Sequence, residues 1–168
     1  MSEKVLNALM RLFAMLANSE TSNAPERAIV ELFLKKHLNR EQVSNYLTVY
    51  DSFVEEQKEK FTGDKKRKKL AVNSVKVVII CKQMNAELTR RQKFVLLLNL
   101  LEFINSDGII LEQELELVNT VALCFNISSD EFELCYKLSV GNSTAEISDS
   151  PNLLIVSESK PTAHEKAK

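Results

Sequence analysis

Apolar residues recur at helical spacing from the start of the chain. Val5, Leu9, Leu12 and Leu16 lie three or four positions apart, which places them on one face of a helix that we predict from about residue 3 to 18. The run also resembles the apolar part of a signal peptide. Its charged Arg11 argues against that alternative, because an amphipathic helix places such a charge on its solvent face.

Polar residues mark further helix starts. Pro25 suits the first turn of a helix running to about residue 37, because proline there gives up only an N–H that has no intrahelical partner. Capping boxes, in which two side chains three positions apart each accept a backbone N–H of the other residue, begin at Asn39, Thr89 and Ser128. They predict helices from 39 to about 54, from 89 to 104 and from 128 to about 138, and a further helix spans roughly 112 to 125.

The charged stretch 55–69 predicts the end of the third helix and an exposed connection. Residues 68–85 follow and are rich in β-branched side chains, so local propensity alone would permit a strand. The run is longer than most strands and has no turn residues at its ends, which favours a helix.

The predicted helix from 89 to 104 is apolar almost all round, as is typical of a helix covered on several sides. We expect it to form the core. Four of its side chains should be buried between two helical units: Leu97, Leu100, Leu101 and Ile104.

A short acidic element occurs twice. Asn18-Ser19-Glu20 and Asn105-Ser106-Asp107 begin at 18 and 105, hence 87 positions apart, and each follows an apolar helical run. The same offset relates Asn39 and Asn126, where we expect the second helix of each unit to end. The fold class that follows is all-α, with about seven helices in two pseudo-repeated antiparallel units over residues 3–140.

The last part of the chain, 141–168, is polar except for the quartet Leu153–Val156. The quartet predicts a short extended strand, which cannot pair with itself. We expect this tail either to dock on the helical domain or to be a linker that begins a truncated following domain.

Composition narrows the function classes. The net charge is −1, so no global field draws the chain to nucleic acid or to an acidic membrane. The basic run Lys65–Lys69 has no interleaved aromatic residues, which favours a solvated connection over a nucleic-acid site. Peripheral contact with a membrane is the most that we expect.

The three cysteines, Cys81, Cys124 and Cys135, lie inside apolar runs without metal-ligand spacing. They predict buried free thiols and a cytoplasmic protein rather than a disulfide framework or a zinc cage.

The second acidic turn offers oxygen ligands. Asp107, Glu112 and Glu114 surround Gly108, so a hard divalent cation is one candidate ligand. An EF-hand is excluded, because Ile109 and Leu111 occupy positions that its loop fills with oxygen ligands.

The alternative for this turn is purely structural. Gly108 would close one helix, Ile110 and Leu115 would form a hydrophobic staple, and Glu112 and Glu114 would complement the dipole of the next helix.

Other acidic residues are weaker candidates. In the first copy, Glu20 and Glu26 are the corresponding metal ligands, with Thr21 in place of the glycine. Glu112 and Glu116 share a helix face, but facing carboxylates without a pocket are typical of solvated surface rather than of a general acid and base. The sequence therefore names no catalytic residue and no certain cofactor.

The duplicated unit, with its Asn-Ser-Asp-Gly turn and the Glu-Gln-Glu that follows, resembles the TerB-like family of tellurite-resistance proteins over roughly residues 4–138. The matching positions are Ser106, Asp107, Gly108, Ile110 and Glu114 in the second turn, and Pro25 and Glu26 in the first. The chain departs from the family pattern at Ile109, where an acid is expected, and at Leu111, where a cap is expected.

The resemblance implies a seven-helix domain that binds divalent cations near its acidic turns and acts in membrane-associated stress systems. Family modules are also fused to other domains, including ATP-binding-cassette ATPases and J-domain proteins. We therefore expect a non-enzymatic binding or accessory module that contacts a protein partner or a following domain. A stress-response sensor of divalent metal is the alternative, and an enzyme of unknown type ranks third.

Overall fold

The computed structural model describes residues 1–17, 24–59 and 66–141, with the side chains of 59 and 66–73 left aside. Seven helices occupy these residues, and no strand occurs among them, which confirms the all-α fold class. Their bounds are α1 Glu3–Leu16, α2 Ala24–Lys35, α3 Arg40–Glu59, α4 Lys66–Asn85, α5 Arg90–Ile104, α6 Glu112–Cys124 and α7 Ser129–Val140.

The capping boxes lie where the sequence predicts them. The Asn39 side chain accepts from the backbone N–H of Gln42 at 2.9 Å, and the Gln42 side chain accepts from Asn39 N–H at 3.3 Å. Thr89 and Ser128 form the same reciprocal pattern at the starts of α5 and α7. Ser2 caps α1 by accepting from Val5 N–H at 3.3 Å. These local bonds fix where the helices begin.

The centre of the fold is shared between α1 and α5. The four side chains expected to be buried in α5 are all inaccessible or nearly so, which confirms that part of the prediction. Helix α1 is buried as deeply, although its pattern predicts only one covered face. Phe13 of α1 joins the two, because its ring lies 5.2 Å from that of Phe103 and 5.9 Å from that of Phe33.

The helices form two linked groups. Helix α1 packs on α3 and α4, whereas α5 packs on α2, α6 and α7. The two groups meet where α4 packs on α6, α2 on α3 and α1 on α5. The pairing of α1 with α3 corresponds to that of α5 with α7. The caps of α1 and α5, Ser2 and Thr89, keep the offset of 87 positions.

The offset does not hold for the function of the two asparagines. Asn126 ends α6 in the left-handed region, with φ of 56°, and the next N–H, that of Ile127, donates to Ala122 O at 3.0 Å. Asn39 instead caps the helix that follows, since α2 ends at Lys35. The two units therefore differ in how their second helix ends.

Two connections differ from expectation. The basic run was expected in an exposed connection, but Lys66 to Lys69 form the first turn of α4, and Lys65 lies outside the described residues. Gly108 does not close α5 directly. Asn105 is the C-cap residue, and Gly108 follows in a turn with φ of 78°, where its N–H donates to Asn105 O at 3.0 Å.

The structure also shows the surroundings of the cysteines and of Arg11. Cys81 and Cys135 are buried free thiols, and Cys124 is a half-buried one. Arg11 lies on the solvent-exposed side of α1, where the amphipathic pattern predicts it. Its guanidinium carbon lies 5.0 Å from the centre of the Phe53 ring. Among the described helices, none has the length and apolar character needed to cross a bilayer. The tail quartet Leu153–Val156 lies outside the described residues.

Candidate acidic site at the starts of α2 and α6

The turn between α5 and α6 is held by its own side chains. Asp107 Oδ1 accepts from the N–H of Ile109 at 3.0 Å, and the positive φ of Gly108 reverses the chain. Glu114 then lies in the first turn of α6, where its Oε2 accepts from the N–H of Leu111 at 3.1 Å. Ile110 and Leu115 are half-buried against the core, in the positions of the predicted staple.

Glu114 is buried, and a second buried carboxylate lies near it. Glu26, in the first turn of α2, is 7% exposed and Glu114 is 9% exposed. Burial raises the pKa of Glu114 to about 7, the hydrogen bond from Leu111 opposes that rise, and the charges of Glu26 and Asp107 add to it. The packing of α2 on α5 therefore brings the starts of α2 and α6, one from each unit, to a shared acidic site.

Tyr50 of α3 completes the site. It is 1% exposed, and its hydroxyl has no hydrogen-bond partner among the described residues. Burial raises the pKa of this hydroxyl, and the charges of Glu26 and Asp51 raise it further, whereas Arg27 lowers it. Arg27 is itself paired with Asp51 at 3.0 Å. The hydroxyl is thus a buried polar group that feels the charge of the Glu26 carboxylate.

The predicted metal ligands fall into different environments. Asp107 and Glu112 are exposed, and only Glu114 of that trio is buried. Glu26 is buried near Glu114, whereas Glu20 lies outside the described residues. Over 1–17, 24–59 and 66–141, no three His, Cys, Asp or Glu side chains are grouped as a metal site. Glu112 and Glu116 are both on exposed surface, as expected of a solvated helix face.

Tyr50 is the residue that sequence reasoning missed. Its position on the apolar face of α3 predicts burial, and the structure confirms this. The available signal was that a buried tyrosine hydroxyl usually has a hydrogen-bond partner, so a tyrosine on an apolar face points to a polar group nearby.

A comparison with protein families gives the identity of the fold. The model of the family described as "Tellurite resistance protein TerB" matches residues 6–136. The chain belongs to the TerB family. That range covers all the helices from most of α1 to most of α7, and so includes both helix starts of the acidic site. No curated protein and no solved structure matches this TerB chain.

Proposed function

We propose that this TerB chain is a non-enzymatic helical binding module in which the acidic site senses a divalent cation. The observation that supports the proposal is the placement of Glu26 and Glu114, two buried carboxylates contributed by different helix starts. The capping hydrogen bond of Glu114 to Leu111 accounts for its place at the start of α6, but not for its nearness to Glu26.

The arrangement is costly without a ligand. Two buried like charges oppose each other's ionisation, and a buried hydroxyl without a partner costs about 1 to 3 kcal/mol. A hydrated cation would offset both costs at once. Its charge would favour the ionised carboxylates, and a coordinated water would be a partner for the Tyr50 hydroxyl, which has none among the described residues.

The donor set fits a hard cation and not zinc. Magnesium is commonly held by one or two carboxylates and keeps several waters, and calcium also takes oxygen ligands. Zinc sites prefer cysteine and histidine, and the groups near Glu114 are the carboxylates of Glu26 and Asp107. Glu26 and Glu114 would hold the ion, and the cation would change the packing of α2 and α6 against α5.

Calorimetry with magnesium, calcium, manganese and zinc tests the proposal. We expect saturable heat with the hard cations, loss of that heat in Glu26→Gln and Glu114→Gln, and weakening in Asp107→Asn. Glu112→Gln is the matched control, because Glu112 lies in the same helical turn but is exposed. An absence of heat at millimolar metal, or equal loss in the control, would contradict a site at Glu26 and Glu114.

A groove supports a second candidate function, the binding of a protein partner without a cation. The groove lies between α1, α3 and α4 and has a volume of about 340 Å³. Met15, Phe53 and Ile79 supply apolar surface. Arg11 and Lys76 supply two positive charges, against the one negative charge of Glu56. Ile79 is 53% exposed and therefore has apolar surface that a partner would cover.

The occupant that this groove fits is an amphipathic helix with acidic residues beside its apolar stripe. A helical peptide of leucine and glutamate should bind, and the same peptide with lysine in place of glutamate should not. Binding measured by fluorescence anisotropy should weaken in Ile79→Ser and in Lys76→Glu. Val95→Ser, an exposed apolar site on α5 away from the groove, is the control. Equal affinity for both peptides would exclude this mode of binding.

A further inference from the structure

Helices α4 and α6 pack along one another and bring two cysteines together. The side-chain amide Nδ2 of Asn85, on α4, donates to the backbone oxygen of Cys124, the last residue of α6, at 3.0 Å. Cys81 lies four positions before Asn85 and therefore on the same face of α4. The end of α6 thus lies against the face of α4 that bears Cys81.

The two thiols interact directly across this contact. Cys81 is fully buried, whereas Cys124 is half-buried. Burial raises the pKa of the Cys81 thiol, and the charge of Cys124 and a hydrogen bond with it raise that pKa further. The pair therefore joins a partly exposed cysteine to one enclosed in the hydrophobic core.

We propose that Cys81 and Cys124 form a reversible disulfide between α4 and α6 when the protein reacts with a hydroperoxide. Neither residue belongs to the acidic site or to the groove, so this activity is independent of the proposed function.

The chemistry follows from the difference in access. The Cys124 thiolate attacks one peroxide oxygen and breaks the O–O bond, which yields a sulfenic acid on Cys124 and a hydroxide that takes up the thiol proton as water. The Cys81 sulfur then attacks the sulfenic sulfur, its proton leaves with the sulfenic oxygen as a second water, and the S–S bond forms. Two thiols and one hydrogen peroxide give one disulfide and two waters, and a dithiol reverses the change.

The third cysteine is an internal control. Cys135 lies on α7, which packs on α5, and not in the contact between α4 and α6. Burial, together with the charge of Glu131, raises the pKa of Cys135 to about 11. Because it lies outside the contact between α4 and α6, its removal should leave the disulfide unaffected.

The test is peptide mapping of the full chain. The reduced protein is treated with graded hydrogen peroxide, unfolded in N-ethylmaleimide to label every remaining thiol, and digested without reductant. We expect one intramolecular cross-link, Cys81 to Cys124, in the native sequence and in Cys135→Ser, which dithiothreitol removes. Cys124→Ser should abolish it. Cys81→Ala should leave a sulfenic acid on Cys124, which dimedone traps.

The cross-link also has a thermodynamic readout. It would tie together residues 81 and 124 of the unfolded chain and should raise the melting temperature by about 5 to 10 °C. Three results would overturn the proposal: Cys124 oxidised while Cys81 is still alkylated, a cross-link that contains Cys135, or a melting temperature that falls on oxidation. Should Cys81→Ala fail to fold by circular dichroism, the peptide map of the native sequence decides alone.

Discussion

Two helix starts in this protein use the same residue in the same position with opposite electrostatic results. Glu114 of α6 and Glu131 of α7 both lie in the first turn of their helix, and both are buried. Each carboxylate accepts a hydrogen bond from the backbone N–H of the residue before the helix, with N···O distances of 3.1 and 2.9 Å. Burial raises the pKa of both carboxyls. For Glu131, hydrogen bonds from Ser128 and the charge of Arg90 outweigh burial, so its pKa lies below the ordinary value.

Glu114 has only the backbone hydrogen bond from Leu111 as compensation. Leu111 stands where Ser128 stands at the other start, so no side-chain hydroxyl caps α6. Its charged neighbours are the acids Glu26 and Asp107, and its pKa rises to about 7. Glu131 is therefore a fully compensated cap, whereas the burial of Glu114 is only partly compensated, as in the proposed cation site.

The largest effect should come from removing the support that the two starts share. Helix α5 packs on both α6 and α7, and Leu100 in it is fully buried. Leu100→Ala should lower the free energy of unfolding by about 2 to 5 kcal/mol, because it leaves a cavity. Chemical denaturation measures this. Val95→Ala, at a site 43% exposed, should cost far less, and equal losses would mean that α5 is not the common support.

The second-largest effect should be a pH dependence of stability that differs between the helix starts of α6 and α7. The folded pKa of Glu114, about 7, exceeds its ordinary value of 4.5. Its contribution to stability is therefore complete below the ordinary value and is lost as the pH rises to 7 and beyond, on the order of 2 to 3 kcal/mol. Denaturation from pH 5 to 8 should show this decline in the native sequence and in Glu112→Gln, but not in Glu114→Gln. A decline that persists in Glu114→Gln would assign it to another group.

Glu131 should show the opposite dependence. Its folded pKa is lowered, so its contribution is present above the ordinary glutamate pKa and is lost as the pH falls through the folded value. At pH 7, Glu131→Gln should cost about 1 to 2 kcal/mol through the weakened cap and the lost pairing with Arg90. The exposed ion pair of Glu133 with Lys137 offers a control. Glu133→Gln should change stability far less than Glu131→Gln, because solvent screens an exposed pair.

The smallest effect should come from the glycine of the acidic turn. A Cβ added at Gly108 would meet nothing within 4 Å, but φ there is +78°. Gly108→Ala should therefore cost only the backbone term, about 1 kcal/mol, and should weaken the start of α6 alone. Gly141→Ala, at an extended glycine with φ of −80°, should be nearly neutral by thermal denaturation. A loss of several kcal/mol at Gly108 would indicate a contact that this turn does not show.

Local chemistry explains which parts of the fold could be predicted from sequence. The capping boxes at Asn39, Thr89 and Ser128 depend on residues three positions apart, so pattern alone identifies those helix starts. The depth of α1 depends on α3, α4 and α5 packing around it. No pattern within α1 contains that information, and its burial on nearly all sides was therefore not expected.

The acidic site was predicted in part for the same reason. Glu114 and Glu26 were both named as candidate ligands, but in two separate turns. Their proximity follows from the packing of α2 on α5, which is a long-range contact. Glu112 was grouped with Glu114 because it is close in sequence, yet two positions along a helix point to different sides, and Glu112 is exposed.

The deep burial of α1 has a consequence for how the protein is made. This helix leaves the ribosome before the helices that cover it, because α4 and α5 are synthesised later in the chain. Until then its apolar residues have only part of their native surroundings. We expect the nascent chain to pass through a stage at which α1 is exposed to chaperones and proteases, so that synonymous changes which slow translation between α3 and α5 would lower the yield of folded protein without altering a single residue.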